Sequence, residues 1–181
     1  MNTWITSDLH LGHANIMKFC PNTRGQFRDI SHMNAQMLRM WNDLIQPEDL
    51  VYILGDVAFM QPTEATKWLR SMSGNKILIE GNHDRKRLKD GVFPSCFQEI
   101  HKYLEIVYNG TMVILFHYPI AEWNQIHRGA VHFYGHLHQN LSGLEKYRAR
   151  NVGFDTTGKI ALLMEDAIAD ALKGEIKGHH V

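Results

Sequence analysis

A layered α/β fold of mixed sheets is predicted by three features of the sequence. Short apolar runs of strand length recur from the N-terminus onward. Helical periodicities separate the first three of them. A later pair of runs flanks Asn109-Gly110, a strong short-range hairpin signal.

Residues 3–6 read as a first strand. Residues 30–45 have helical spacing, with Met33, Met37, Leu38, Trp41, Leu44 and Ile45 on one side, Ser31 as N-cap and Pro47 just beyond the end. Residues 50–54 form a second strand. Residues 63–72 form a helix that Gly74 stops, and residues 76–80 a third strand. Residues 103–108 and 111–116 are the arms of the hairpin. Residues 131–134 and 150–154 are further strands, and residues 164–173 a short helix followed by Gly174.

Composition narrows the class. The chain has 181 residues, of which 44% are hydrophobic and 21% charged, which is ordinary for a folded protein and rules out a disordered one. No linker rich in Pro, Gly or Ser divides it, so residues 1–181 are expected to form one domain. No apolar run reaches the roughly 20 residues of a membrane span, and the N-terminus lacks the pattern of a signal peptide, so a cytoplasmic location is expected. Cys20 and Cys96 make no disulfide framework and are expected to be reduced. With Lys+Arg and Asp+Glu both at 19, bulk charge does not drive binding to nucleic acid, although a local basic patch remains open. Histidine, at 12, is abundant, and it is the commonest metal ligand.

The histidines are organised. The first run is followed by Ser7-Asp8-Leu9-His10, the second by Gly55-Asp56 and the third by Gly81-Asn82-His83-Asp84. The second hairpin arm ends at His117, and the next run at Gly135-His136-Leu137-His138. In α/β sheets ligands bind outside the carboxyl ends of the strands, so these groups are expected to share one cleft. Residues two apart on an extended segment point the same way, so Asp8 with His10, and His136 with His138, can each clasp one ion. Oxygen and nitrogen donors without thiolate suit Mn, Fe, Zn or Ni. Asp8, His10, Asp56, Asn82, His117, His136 and His138 are too many for one tetrahedral ion. They fit two divalent ions sharing a carboxylate, and Asp56, alone after its glycine, is the natural bridge.

These motifs resemble the calcineurin-like metallophosphoesterase superfamily, whose pattern D-x-H, G-D, G-N-H-[D/E], H, G-H-x-H is present here in order. The resemblance spans about residues 3–155, including Asn151-Val152-Gly153. It implies a four-layer α-β-β-α sandwich of two mixed sheets with flanking helices. It also implies that Asp8, His10 and His138 hold one ion with Asp56, while Asn82, His117 and His136 hold the second, again with Asp56. His83 is implied to be the catalytic non-ligand that protonates the leaving oxygen or stabilises its charge. Water bound between the ions would lose its proton near neutral pH and attack phosphorus in line.

The protein serine/threonine phosphatases of this superfamily extend Gly-Asp to G-D-x-x-D-R-G; here Phe59 and Met60 stand where their second Asp and Arg would be. The implied activity is therefore a small metal-dependent phosphodiesterase, manganese being the first choice of metal. Nucleotide-type or other small phosphodiesters are the expected substrates, with small phosphomonoesters as an alternative. A nuclease is disfavoured by the neutral charge and by a length too short for a capping domain, although the basic run Arg85-Lys86-Arg87 with Lys89 keeps it open. A non-catalytic scaffold is disfavoured because every ligand and His83 are retained.

Weaker candidates surround these. His13 and Asn15 either reach the substrate phosphate or cap the next helix. The basic run either steers anions or is a solvated helix face. Arg24, Arg28, His127 and Arg128 are loop candidates for a phosphate clamp. Tyr118 and Trp123 are candidates to stack on a base or to pack in the core. His179 and His180 read as a tail.

Overall fold

The computed structural model describes residues 1–89 and 91–178; His179 and His180, read above as a tail, lie outside them. Two mixed sheets are stacked with helices around them. The first sheet has the order β4-β3-β2-β1-β9, from β1 (Thr3–Thr6), β2 (Leu50–Ile53), β3 (Asn75–Ile79), β4 (Glu99–His101) and β9 (Leu162–Leu163). Strands β1 to β4 run parallel, and β9 is antiparallel to β1. The second sheet has the order β5-β6-β7-β8, from β5 (Tyr103–Tyr108), β6 (Thr111–Phe116), β7 (Val131–Tyr134) and β8 (Ala149–Asn151). Its hairpin pair β5–β6 is antiparallel, and β6, β7 and β8 are parallel.

The first sheet is buried on both faces, and its central strand β2, Leu50–Ile53, is apolar throughout rather than alternating. One face, with Trp4, Val51, Ile53 and Leu78, packs on the helices α3 (Ile30–Leu44) and α4 (Pro62–Ser71). Met33, Met37 and Trp41 form the buried stripe of α3 at helical spacing. The helix is capped by Asp29, whose carboxylate accepts from His32 N at 2.8 Å, and not by Ser31 as the sequence suggested. The opposite face, with Ile5, Tyr52, Leu54, Ile77 and Ile79, meets Val113, Leu115, Val131 and Phe133 of the second sheet. Helix α6 (Met164–Ala171) closes one side of this central core through Met164, Ala167, Ile168 and Ala171. The outer face of the second sheet is covered by the one-turn 3-10 helix Ile126–Arg128 and neighbouring loops, around Trp123 and Tyr134.

Two expected boundaries change. The strand read at 150–154 ends at Asn151, because Phe154 opens the one-turn helix α5 (Phe154–Thr157). The basic run forms no helix; residues 82–89 are a succession of turns. Two further one-turn helices, α1 (Ile16–Phe19) and α2 (Pro21–Arg24), fill the crossover after β1. Among the described residues, no helix is long and apolar enough to cross a membrane.

The sheets meet at the carboxyl ends of their strands. Ser7, just past β1, forms a parallel bridge with Gly153, just past β8. The loops beyond β1 and β2 stay laced, His10 N donating to Asp56 O at 3.0 Å and Leu11 N to Val57 O at 3.0 Å. Gly135 N donates to His117 O at 2.9 Å and joins the loops beyond β7 and β6 in the same way. The ends of β1, β2, β3, β6 and β7 therefore open on one cleft.

Candidate metal centre

The polar groups beyond the five strands converge as the sequence suggested. The donor atoms of Asp8, His10 and His138 lie within 4.8 Å of one another, and so do those of Asp56, His117 and His136. Asp56 lies between the groups. Its Oδ2 is 3.7 Å from His10 Nε2 and 3.7 Å from His117 Nε2. Asn82 Oδ1 is 3.0 Å from His117 Nε2 and joins the second group. The spacing argument that His136 and His138 share one ion fails, because their side chains go to different groups; Asp8 and His10 do stay together.

The backbone at most of these residues is left-handed. Five of the seven candidate ligands, Asp8, His10, Asp56, His136 and His138, have positive φ, between 49° and 69°. Left-handed backbone is uncommon for side-chain-bearing residues and gathers at functional sites. The extended geometry assumed above therefore does not hold. Each two-residue step turns, and in the first it sends Leu9 into the core. The motif glycines serve close packing between loops. A Cβ on Gly135 would lie 2.0 Å from Ser7 Oγ and 2.3 Å from Asp8 Oδ2. On Gly55, at φ +86°, it would lie 2.6 Å from Gly81 Cα.

A divalent cation fits these donors. Asp8 Oδ1 and His10 Nε2 are buried and, among the described residues, without a hydrogen-bond partner, 3.7 Å apart. Two orphaned polar atoms facing each other are costly unless something lies between them. Donors sharing one ion at about 2.1 Å stand roughly 3–3.5 Å apart, close to the spacings here. Burial lowers the pKa of His10 and of His136, favouring the neutral imidazoles that metals need. Burial pushes the Asp8 carboxyl up, but the nearby His10 and His117 imidazoles outweigh it, and the group lies below its ordinary value.

Three of the four candidate imidazoles have a partner at their other nitrogen. His117 Nδ1 donates to Leu54 O at 2.6 Å, and His138 Nδ1 to Asp155 Oδ2 at 2.8 Å. His10 Nδ1 lies 3.0 Å from His13 Nδ1. Such partners fix the ring and its tautomer. Burial and the neighbouring histidines hold His13 at a pKa of about 4, so it is neutral. Its ring stacks on Phe59 at 4.0 Å. Asp8 Oδ2 accepts from His136 N at 2.9 Å, and Asp56 Oδ1 from His83 N at 2.9 Å. His83 stands on the open side of the cleft, its side chain 48% exposed and its Nε2 3.9 Å from Asp56 Oδ2.

Several residues take roles that the sequence did not assign to them. Asp84 is buried, and its carboxylate accepts from the backbone N–H of Gly81, Asp56 and Val57 at 2.9, 2.8 and 3.1 Å. It thereby ties the loop after β3 to the loop after β2. Arg24, read as a loop phosphate clamp, is fully buried in α2. Its guanidinium is used up on both oxygens of Asp155 and on the carbonyls of Asp8 and Leu9. It cannot reach a substrate. Tyr118 packs edge-on against His117 at 4.9 Å and His136 at 4.7 Å. Trp123 is a core residue that donates to Ala130 O at 3.0 Å. Arg28 pairs with Asp29 at the surface. His127 and Arg128 lie in the 3-10 turn behind the second sheet, and Asn15 begins α1 with an exposed side chain. Only Asp84 carried a sequence signal, as the fourth residue of the Gly-Asn-His-Asp motif.

The fold and this set of donors define a class, a metal-binding phosphoesterase built on two mixed sheets. The sequence model of calcineurin-like phosphoesterases matches residues 1–140, and the chain belongs to that family. It is 31% identical over 139 residues to an uncharacterized protein of Methanocaldococcus jannaschii, covering 76% of this chain and 69% of the relative. It is 28% identical to the Gene 66 protein of Mycobacterium phage L5, over 93% of each chain. The crystal structure of a protein of unknown function from Aquifex aeolicus is similar, with a TM-score of 0.70 and 25% identity, covering 91% of this chain and 96% of that one.

Proposed function

We propose that the protein is a phosphodiesterase acting on nucleotide-type or other small phosphodiesters with two divalent ions, manganese being the first choice. Asp8, His10 and His138 would hold one ion and Asn82, His117 and His136 the other, with Asp56 common to both. The observation that carries this reading is the position of Asp56 Oδ2, 3.7 Å from a histidine of each group and 3.9 Å from His83. When bound, the ions would neutralise the phosphoryl oxygens and activate water.

The side chains supply the rest. His83 is tethered through its backbone to Asp56 Oδ1, which fixes its distance from the donors. Its exposed imidazole faces the side where a leaving group departs, and it protonates the departing oxygen, a role worth about 10²–10⁴ in rate. Asp155, Leu54 O and His13 hold three histidines with their second nitrogen turned toward the cluster. Phe59, which stands where protein phosphatases of this superfamily carry Asp, offers no polar group and instead packs on His13 and His83. That favours a diester over a phosphoprotein.

The test is hydrolysis of bis-p-nitrophenyl phosphate and of p-nitrophenyl phosphate with added Mn²⁺. The diester is expected to be the better substrate, EDTA to abolish turnover, and His83→Ala to lower the rate about 10²–10⁴-fold. Unchanged turnover in His83→Ala, or activity resistant to EDTA, would overturn the mechanism.

A further inference from the structure

We infer that the groove beside His83 binds a second phosphate, carried by the leaving group of the substrate. This rests on the phosphodiesterase reading above and narrows its substrate class to diesters with an additional phosphate.

The basic run after the Gly-Asn-His-Asp motif is divided by its turns. Arg85 is directed away from the groove, its Nε 3.1 Å from Glu80 Oε1. Lys86, Arg87 and Lys89 instead line a cavity of about 680 Å³ walled by Phe59 and Met60, and among the described residues Glu64 is the one carboxylate in the lining. Among the described residues three cations stand against one anion, and an electropositive groove of this kind concentrates anions.

Arg87 is anchored rather than waving in solvent. Its Nε donates to Met60 O at 3.0 Å and its Nη1 to His83 O at 2.8 Å. Its guanidinium carbon lies 5.4 Å from the centre of the Phe59 ring. Among the described residues both hydrogen bonds go to carbonyls, and Asp84 and Asp56 act on it at longer range. A half-buried guanidinium held in place by neutral acceptors keeps its charge for a ligand, and its planar fork matches a phosphate. Lys86 and Lys89 add exposed point charges to the lining of the groove.

Position assigns the phosphate to the leaving group. Phe59 is both a wall of the groove and a neighbour of the reacting side, its ring 4.6 Å from His83 and 4.7 Å from His10. The groove thus begins at the histidine that protonates the departing oxygen. In the step itself, water oxygen bonds to phosphorus and gives one proton to solvent, the phosphorus–oxygen bond to the leaving group breaks, and the His83 proton goes to that oxygen, His83 then regaining a proton from solvent. The alcohol so released would carry its own phosphate into the groove. A short phosphorylated dinucleotide and a longer single strand offer the same chemistry.

The test compares ApA with the same dinucleotide phosphorylated at its 5′ end or at its 3′ end, in Mn²⁺. One phosphorylated form is expected to exceed ApA in kcat/KM by about tenfold, the scale of two or three exposed charge contacts. In K86E/K89E that ratio is expected to fall to near one, with K86A/K89A intermediate. Calorimetry in Mn²⁺ gives a reading independent of turnover: adenosine 3′,5′-bisphosphate should bind more tightly than AMP, and the charge reversal should erase the difference. Equal treatment of ApA and both phosphorylated forms, or a ratio unchanged in K86E/K89E, would overturn the inference. Failure of the wild type to hydrolyse any diester would sink the hydrolase reading instead, and the calorimetric ratio would still decide the groove. Oligoadenylate outcompeting the phosphorylated dinucleotide assigns a strand as the source of the second phosphate; the reverse assigns a small substrate.

Discussion

His138 Nδ1 donates to Asp155 Oδ2 at 2.8 Å, and Asp155 is itself gripped by Arg24 through Nε at 2.7 Å and Nη2 at 2.9 Å. Thr23 Oγ1 adds a hydrogen bond to Oδ1 at 2.7 Å. The carboxylate fixes the imidazole with Nε2 free for an ion, and Arg24 fixes the carboxylate. Both charges of the Arg24–Asp155 pair are buried, so losing one strands the other.

Asp155→Asn is therefore expected to act twice. Stability of the metal-free protein should fall by about 3–5 kcal/mol in urea unfolding, because the Arg24 guanidinium loses its counter-charge. Affinity for Mn²⁺, by calorimetry, should fall about 10–100-fold. Replacing both partners, as Arg24→Met with Asp155→Leu, should recover stability and leave the affinity low. Recovery of both would show that Asp155 has no orienting role.

Asp84 makes a second, separable prediction. Its carboxylate is the acceptor for three backbone N–H groups at the turns that carry Asp56 and Asn82. Asp84→Ala leaves those donors without their partner, at about 1–3 kcal/mol each when buried. A loss of about 3 kcal/mol or more is expected in urea unfolding, and a smaller one for Asp84→Asn, which keeps an acceptor oxygen. A loss below about 1 kcal/mol for Asp84→Ala would mean that water enters and satisfies the turns.

His132 sets a pH dependence away from the cluster. It is buried on the outer face of the second sheet, accepting from Ile120 N at Nε2 and facing Ile114 O with Nδ1. Burial pushes its pKa down to about 4, against about 6.5 in the unfolded chain. Between those values the unfolded state binds a proton that the native state refuses. Stability therefore falls on acidification from pH 6.5 to 4, with a slope of up to about 1.4 kcal/mol per pH unit from this residue. Urea unfolding in EDTA at a series of pH values should show that slope reduced by one proton in His132→Gln. Parallel curves for the two proteins would refute the assignment.

Local pattern carried much of the fold. The stripe Met33, Met37, Trp41 marks α3, and the Asn109-Gly110 turn marks the β5–β6 hairpin, because periodicity and turn chemistry are properties of neighbouring residues. The short edge strands β4 and β9 were not legible. Glu99–His101 is polar and largely exposed, and Leu162–Leu163 is only two residues long. Both are strands because a neighbour offers an edge. The cap of α3 moved from Ser31 to Asp29 because the loop enters the helix in an extended conformation at Asp29, which no composition rule specifies.

The sequence by itself determined which donor types stand at the ends of five strands, since each motif abuts its own apolar run. It also placed His83 beside Asn82, and Asp56 alone behind its glycine. Residue spacing alone did not divide those donors; the family resemblance implied a division, and the tertiary structure places the side chains in two groups. His136 and His138, two residues apart, fall in different groups, while Asp8 and His10, with the same spacing and the same left-handed backbone, share one. Arg24 turned from a surface clamp into a buried brace because its partner Asp155 lies 131 residues away in the chain. Contacts at that separation depend on how the two sheets are stacked, and no local pattern of residues records it.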